Sequence, residues 1–234
     1  MEKTQPSLCV IQARMSSARL PGKVLVDLEG HSVLATLLRR VKRARTLTDV
    51  VVVTSSEHSD EPIAEAAASE GVEVYRGSLT DVASRFFEMS RRNEDGCIVR
   101  ICADSPFSDP GLIDAAVRLF WRSEPTLVST TTPRTTPHGM SVEVLQCRSF
   151  IQAYSDFDEP DDKEHVTRYF YRHPERYEIV SYRPELPIPL DYSLAIDTTE
   201  DLLRMRQLAS ALGERAIEAD CLEILTMAER LWKR

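Results

Sequence analysis

The chain opens on a short segment whose residue types suit the binding of an anion. Residues 8–11 are an apolar run typical of a buried strand, and a polar loop of small residues follows at once. That loop carries three cations, Arg14, Arg19 and Lys23, and its Gly22 lets a ligand approach the backbone closely. A loop at the carboxyl end of a first strand is a common phosphate position, so the three cations favour a polyphosphate site. A solvated basic loop is the alternative interpretation.

Two aspartates that follow predicted strands suggest a divalent cation near this loop. Asp104 comes just after the apolar strand predicted at residues 96–102, and Asp197 follows a last short strand at residues 193–196. The carboxyl ends of parallel strands meet at one edge of a sheet, so both carboxylates are expected beside the cationic loop. Together with phosphate oxygens, carboxylates are typical ligands of Mg²⁺. The alternatives are a turn residue for Asp104 and the N-terminal cap of the next helix for Asp197.

His165 is a candidate acid–base group or substrate contact within the helix predicted over residues 163–171. A structural role is the alternative, because a lone histidine on a helix more often has one. Neither Cys102 nor any serine has a histidine at a spacing that indicates a nucleophile–base pair. Covalent catalysis is therefore not predicted.

Two widespread phosphate-binding signatures are absent from the sequence. The Walker loop requires glycine at position 17 and serine or threonine at position 24, but Ser17 and Val24 stand there. The eight glycines contain no G-x-G-x-x-G pattern. We therefore expect cationic side chains and backbone amides to hold the phosphates.

Composition and charge exclude several classes of protein. Subtracting 37 acidic from 29 basic residues gives a net charge of −8, which argues against a broad nucleic-acid-binding surface. No apolar run approaches the ~20 residues of a membrane span, and no signal peptide opens the chain. The five cysteines are odd in number and lack a C-x-x-C pair, so they are predicted to be reduced, without a structural zinc. These features predict a cytoplasmic protein that contacts neither nucleic acid nor membrane.

Strands alternate with helices of about a dozen residues through the first half of the chain, which is typical of βαβ units. One helix is predicted to begin at Ser32 and another at Thr80 or Asp81. We therefore predict an α/β fold with a mainly parallel, doubly wound sheet. The apolar runs predict its early strands at residues 8–11, 49–54, 72–75, 96–102 and 126–130.

The pattern becomes looser from about residue 131. We predict a single domain over residues 1–234, in which residues 131–192 form a looser, β-containing flap lobe and residues 213–234 a C-terminal helical tail. The elements predicted within the lobe are strands at residues 140–145 and 178–182, a helix at 163–171 and an extended proline-rich connector at 183–189.

Several motifs, in order along residues 8–212, resemble those of one family. The segment from Gln12 to Lys23 resembles the opening signature of cytidylyltransferases related to spore-coat polysaccharide biosynthesis protein F. That family is similar to the CMP-sugar synthetases for 3-deoxy-manno-octulosonate and for sialic-acid-like sugars. The further matches are Tyr75-Arg-Gly-Ser78 with Asp81-Val82 and Arg85, Arg100-Ile-Cys-Ala-Asp104-Ser-Pro106, Pro137-His-Gly139 with Val142-Glu143, Glu164-His-Val-Thr167, and Ile196-Asp197-Thr with Glu200-Asp201.

The resemblance implies a Rossmann-like nucleotide-diphospho-sugar transferase fold, a CTP site at the opening loop and a homodimer. It implies Mg²⁺ bound by Asp104 and Asp197, and catalytic roles for these two residues together with Arg14 and Lys23. The candidate nucleotide-binding residues are Ala13, Arg14, Ser16, Ser17, Arg19, Lys23, Thr54, Arg76, Arg85 and Asp104. The candidate acceptor-binding residues are Ser78, Gly139, Glu143, Glu164 and His165.

The residues and the resemblance together predict transfer of CMP from CTP to a hydroxyl of an acidic sugar, of the nonulosonic or 3-deoxy type. Pyrophosphate would be released, and the product would serve the biosynthesis of a surface polysaccharide or glycoconjugate. Three alternatives remain open: a nucleotidyltransferase acting on a sugar-1-phosphate or another phosphorylated alcohol, a glycosyltransferase of related fold, and a non-catalytic nucleotide-binding protein.

Overall fold

The computed structural model describes residues 5–185 and 192–232. Their strands are β1 Ser7–Gln12, β2 Asp49–Ser55, β3 Glu73–Gly77, β4 Cys97–Cys102, β5 Leu127–Ser129, β6 Glu143–Gln146 and β7 Ile179–Ser181. Their α-helices are α1 Val33–Val41, α2 Glu61–Ser69, α3 Val82–Arg92, α4 Pro110–Ser123, α5 Cys147–Tyr154, α6 Pro160–Glu164, α7 Arg168–Arg172, α8 Thr199–Leu212 and α9 Cys221–Trp232.

The seven strands form one sheet in the order β3-β2-β1-β4-β6-β5-β7. All neighbouring pairs are parallel except those of β6, which is antiparallel to β4 and to β5. The prediction of an α/β fold with a mainly parallel sheet is confirmed. Because the chain runs outward from β1 to β3 and then places β4 on the other side of β1, a crevice opens at the carboxyl ends of β1 and β4.

The sheet buries both of its faces under helices. Along β1, Cys9 and Ile11 belong to the hydrophobic core on one face, with residues of α1, α2, α4, α8 and α9. Leu8 and Val10 point to the opposite face and pack with residues of α3, α5 and α7. Each fully buried aliphatic side chain contributes about 1.5–3 kcal/mol, so the two cores hold the sheet rigidly beneath the crevice.

Local signals in the sequence explain where several elements begin. The Ser32 side chain accepts a hydrogen bond from the Ala35 amide at 3.1 Å and caps α1, as predicted. Of the two predicted caps of α3, the structure uses Asp81, which accepts from the Ser84 amide at 2.8 Å. β2 is a continuous β-branched run because helices cover it on both faces.

The second half differs from the prediction in four ways. The single helix predicted over residues 163–171 is two short helices, α6 and α7, because Val166 between them has a left-handed φ of 48°. α5 was not predicted. The strand predicted at residues 140–145 begins only at Glu143, and the one at 193–196 is reduced to a single bridge between Ser193 and His138.

Toward the end of the chain, residues 186–189 of the predicted connector lie outside the described residues. The predicted helical tail consists of a 3₁₀ turn at Gly213–Ala216 and α9. The five cysteines are free thiols, and Cys9, Cys97 and Cys147 are buried. Among the described residues, no helix combines the length and the apolar character that a membrane crossing would need.

Candidate active site

A cavity of about 540 Å³ lies in the crevice at the carboxyl ends of β1 and β4. Among the described residues, six cations and four carboxylates line it, which gives the cavity a formal charge of +2 in a chain whose net charge is −8. The cations are Arg14, Arg19, Lys23, Arg85, Arg100 and Arg134, and the carboxylates are Asp104, Glu143, Glu164 and Asp197.

The cationic loop after β1 folds around one backbone carbonyl. The amides of Ser17 and Gly22 both donate to the Met15 carbonyl at 2.9 Å. Gly22 has a left-handed φ of 72° and begins a 3₁₀ turn over Lys23–Leu25. This turn directs Lys23 inward, where the residue is only 8% exposed.

Asp60 holds the same loop to the end of β2 and was not predicted as a site residue. Its Oδ1 accepts from the Met15 amide at 2.8 Å, and its Oδ2 accepts from the Thr54 hydroxyl and from the Ser55 amide and hydroxyl. Burial opposes ionisation, but these hydrogen bonds outweigh it and hold the pKa of Asp60 below its ordinary value. Thr54, a predicted nucleotide contact, is fully buried by this role.

Lys23 joins the two aspartates predicted to bind a metal. Its Nζ lies 2.7 Å from Asp104 Oδ2 and 3.0 Å from Asp197 Oδ1, and it donates to the Ile196 carbonyl at 2.6 Å. Arg19 lies 3.1 Å from the same Asp197 oxygen. Burial alone would lower the pKa of Lys23, but the two carboxylates outweigh it and raise that pKa. Burial likewise opposes the ionisation of Asp197, whose pKa is nevertheless lowered, chiefly by Lys23.

Asp197 is free for this role because its neighbours cap the next helix. Thr198 is the N-cap of α8 and forms a reciprocal capping box with Asp201. The capping alternative for Asp197 is therefore wrong. The amide of Ile196 donates to the Asp104 carbonyl at 2.9 Å, so the two loops that carry the aspartates are joined directly.

The donor set around Lys23 fits a divalent cation. Two carboxylates and one carbonyl converge on a single positive charge, and such hard oxygen donors suit an ion of the Mg²⁺ class. Within the described part of the chain, no group of three or more His, Cys, Asp or Glu is arranged to hold a metal. The protein thus offers two carboxylates, and a cation here would complete its shell with phosphate or water.

The opposite wall contains a buried ion pair. Arg100 pairs with Glu143 and donates to the Gln12 side chain at 3.0 Å. The Tyr171 hydroxyl donates to Glu143 at 2.6 Å. Burial would lower the pKa of Arg100, but Glu143 outweighs it and raises that pKa. Above this pair, Arg14 lies 2.8 Å from Glu164, and both side chains are partly exposed.

Arg85 reaches the cavity from α3 and is poorly paired. It is 1% exposed, and its Nε has no hydrogen-bond partner among the described residues. Its one recorded hydrogen bond, to the Val53 carbonyl, is long at 3.4 Å. Burial lowers the pKa of Arg85 to about 10, still well above neutral pH.

The connection between β5 and β6 closes the cavity. Gly139 has a left-handed φ of 90°, and a Cβ there would lie 2.3 Å from the backbone of Leu194. Only glycine allows this approach. His138 and Arg134, which were not predicted, lie on this connection and line the cavity. The Pro137-His-Gly139 motif was the signal that could have identified His138.

The structure brings most of the predicted site residues to the cavity and leaves four outside its lining. Ser16 is exposed on the loop, and the Thr54 hydroxyl donates a hydrogen bond to Asp60. Arg76 pairs with Glu61, and Ser78 accepts from the Asp81 amide at 3.0 Å. Those that line the cavity are Ala13, Arg14, Ser17, Arg19, Lys23, Arg85, Asp104, Gly139, Glu143, Glu164, His165 and Asp197.

Comparison with known proteins identifies the family. The cytidylyltransferase family model matches residues 8–218. Spore coat polysaccharide biosynthesis protein SpsF of Bacillus subtilis (strain 168) is 32% identical over 235 residues, covering 95% of this chain and 94% of that protein. The predicted family resemblance is confirmed.

Solved structures agree with this assignment. A cytidylyltransferase from Leptospira borgpetersenii serovar Hardjo-bovis superposes with a TM-score of 0.91 at 28% identity, covering 97% of this chain and 95% of that one. A CMP:2-keto-3-deoxy-manno-octonic acid synthetase complexed with CTP shares the fold at a TM-score of 0.66 and 16% identity, covering 88% of this chain and 99% of that one. The chain therefore has the nucleotide-diphospho-sugar transferase fold and belongs to the cytidylyltransferase family of CTP-dependent nucleotidyltransferases.

Proposed function

We propose that the protein transfers CMP from CTP to a hydroxyl of an acidic sugar and releases pyrophosphate. The observation that carries this proposal is the charge of the cavity, +2 by its lining residues within a chain of net charge −8. A cationic cavity in an acidic protein favours anionic ligands locally. Both a nucleoside triphosphate and a sugar carboxylate are such ligands.

Arg14, Arg19 and Lys23 would bind the triphosphate, since all three lie on one loop and line the cavity. Their charges would offset the negative charge that grows on the departing pyrophosphate. Positioning and charge stabilisation supply most of the rate in phosphoryl and nucleotidyl transfer, so no covalent enzyme intermediate is needed. The nearest thiol agrees with this, because burial raises the pKa of Cys102 to about 11 and leaves it a weak nucleophile at neutral pH.

Asp104 and Asp197 would hold the divalent cation, for which we propose Mg²⁺. When bound, the cation offsets phosphate charge and orients the reacting group. The support from the protein is the convergence of the two carboxylates on one positive charge.

The acceptor would lie against the wall formed by Gly139, Glu143, Glu164 and His165. Arg134 adds positive charge to this wall and His138 adds an imidazole that can form a hydrogen bond, which suits a carboxylate. The acceptor hydroxyl must lose a proton when it attacks. His165 and His138 are the two imidazoles in the cavity lining, and an imidazole can accept that proton near neutral pH.

A pyrophosphate-release assay tests the proposal. The purified protein is incubated with Mg²⁺ and each of four nucleoside triphosphates, against a panel of nonulosonic acids, 3-deoxy sugar acids and sugar-1-phosphates. We expect release with CTP and an acidic sugar, and release that is slower by about 10²-fold or more from an Asp104→Asn control preparation. Release only with a phosphorylated alcohol would support that alternative, and CTP binding without release from any acceptor would support a non-catalytic role.

We further propose a homodimer that uses residues 131–192, and a role in surface polysaccharide or glycoconjugate biosynthesis. The family resemblance supports both. Light scattering coupled to size-exclusion chromatography measures the mass of the assembly directly. The cytoplasmic location stays a prediction from the sequence.

A further inference from the structure

The Lys23 ammonium has no hydrogen left for a substrate. An ammonium group has three N–H bonds and no acceptor capacity. Lys23 Nζ has three acceptors, which are Asp104 Oδ2 at 2.7 Å, Asp197 Oδ1 at 3.0 Å and the Ile196 carbonyl at 2.6 Å. In this arrangement Lys23 cannot also donate to a phosphate oxygen unless one of these contacts breaks.

The same arrangement conflicts with a metal on the two aspartates. The oxygens that face Lys23 are the ones that converge on a single cation, and an ammonium and a divalent ion cannot share that position. With Arg19 beside Asp197, two cations already balance two carboxylates. A divalent ion added without an anion would create an excess of positive charge in a partly buried site, where screening is weak.

A triphosphate resolves both conflicts. It offers acceptors for the Lys23 ammonium, it balances the added positive charge, and its oxygens can complete a metal shell to which the protein contributes two carboxylates. Lys23 also has a flexible four-carbon stem, so its ammonium can move between neighbouring anions without movement of the loop backbone.

We propose that Lys23 competes internally with the divalent cation. Its ammonium holds Asp104 and Asp197 until a nucleoside triphosphate draws it away, so that metal and nucleotide enter the site together. This inference rests on the metal-binding role of the two aspartates in the proposed function.

The test compares the binding of Mn²⁺ to wild type and to Lys23→Met, without nucleotide, by electron paramagnetic resonance of the free ion. Methionine keeps most of the side-chain length and removes the charge. We expect Lys23→Met to bind Mn²⁺ about tenfold more tightly than wild type, within the usual range of coupling between two ligands. Lys23→Arg, which keeps the charge, should bind Mn²⁺ as weakly as wild type.

The double variant Lys23→Met/Asp104→Asn shows whether the added Mn²⁺ affinity arises at Asp104. We expect it to lose the tenfold tighter binding of Lys23→Met. A folded Lys23→Met protein that binds Mn²⁺ no more tightly than wild type would overturn the proposal. A failure of the enzyme to release pyrophosphate with any acceptor would instead count against the proposed function, since the Mn²⁺ comparison requires no turnover.

A second measurement uses the unmodified protein, in case the variants fold poorly. With lysine labelled with ¹⁵N, the buried and fully bonded Lys23 ammonium should give a slowly exchanging NMR signal. That signal should persist with Mg²⁺ alone and should shift when CTP and Mg²⁺ are added together. A shift produced by Mg²⁺ alone, to the position seen with CTP, would contradict the proposal.

Discussion

Arg85 carries a buried positive charge and forms few hydrogen bonds with the described residues. A buried guanidinium with an unpaired Nε is costly, because the lost hydration is not replaced. No salt bridge compensates this cost among the described residues; the one recorded hydrogen bond is the long contact to Val53. Arg85 lines the cavity, so an anion bound there can accept a hydrogen bond from its guanidinium and form the ion pair that it lacks among the described residues.

Replacing Arg85 should therefore separate stability from binding. We expect Arg85→Met to be at least as stable as wild type in urea unfolding, because it removes a buried charge that only carboxylates beyond salt-bridge distance, chiefly Asp60, compensate. Its KM for CTP should rise about tenfold or more, which corresponds to the loss of one charged hydrogen bond. Arg91→Met, on the exposed face of the same helix, should change neither quantity. A destabilised Arg85→Met with normal KM would assign Arg85 a structural role.

Asp104 is the sharpest test of the two-carboxylate site. Asparagine has nearly the same shape but no charge, so Asp104→Asn should keep the circular dichroism spectrum of wild type. We expect pyrophosphate release to fall about 10²-fold or more, because charge stabilisation at the reacting phosphate is lost. Asp95→Asn is the matched control, since Asp95 pairs with Arg148 on the surface, away from the cavity. Wild-type turnover by Asp104→Asn would refute the metal assignment.

Among the elements, the cationic loop depends most on a single residue from outside it. Asp60 accepts hydrogen bonds from the loop at Met15 and from the end of β2 at Thr54 and Ser55. It thus fixes the loop relative to the strand beside β1. An asparagine at this position would turn an amide donor toward backbone donors that need an acceptor.

Asp60→Asn should be less stable than wild type by about 1–3 kcal/mol at pH 7, the usual cost of an unsatisfied buried group. Because the folded pKa of Asp60 is lowered, its ionised form contributes fully above the unfolded pKa of about 3.9 and is lost as the pH falls through the folded pKa. The difference between wild type and variant should therefore shrink below about pH 4. Urea unfolding at neutral and acidic pH measures it; a constant difference would contradict this assignment.

Across the whole molecule, Arg40 connects parts of the chain that are far apart in sequence. It is fully buried at the end of α1 and donates to the carbonyls of Ser108, Ala216, Ile217 and Ala219. Burial lowers the pKa of Arg40 to about 10, so it stays charged at neutral pH. The guanidinium thereby holds the segment before α9 against the loop that leads from Asp104 into α4.

Arg40→Lys should destabilise the protein by about 3–5 kcal/mol, because a lysine cannot reach all four carbonyls and leaves some of them buried and unpaired. Chemical unfolding measures the loss, and limited proteolysis should detect release of the C-terminal segment. Arg43→Lys is the matched control, since Arg43 is exposed and makes a single bond to Ile217. Equal stability of the two variants would show that the Arg40 contacts are replaceable.

The first half of the fold could be predicted because its signals are local: β-branched runs, helix caps and glycine stops act over a few residues. The strand of β6 was predicted, but its antiparallel direction and the helix α5 could not be, because they depend on pairing with β4 and on packing against aromatic residues distant in sequence. The site divides in the same way. Lys23 on the loop after β1, Asp104 after β4 and Asp197 were predicted and meet in the structure, whereas Thr54, Arg76 and Ser78 contact neighbours that no motif reveals.

The antiparallel β6 has a consequence for how this architecture can change. Residues 130–142 leave the sheet at β5 and return to it at β6, so both ends of this connection are fixed next to the cavity. The free energy of closing such a connection rises only slowly with its length. Under the proposed function, an exchange of this segment that keeps the contacts of His138 and Gly139 with residues 193–195 can thus reshape the space for the acceptor while the Lys23 cluster stays intact. If the proposed function holds, the connection is a graft point for changing which acceptor the enzyme uses.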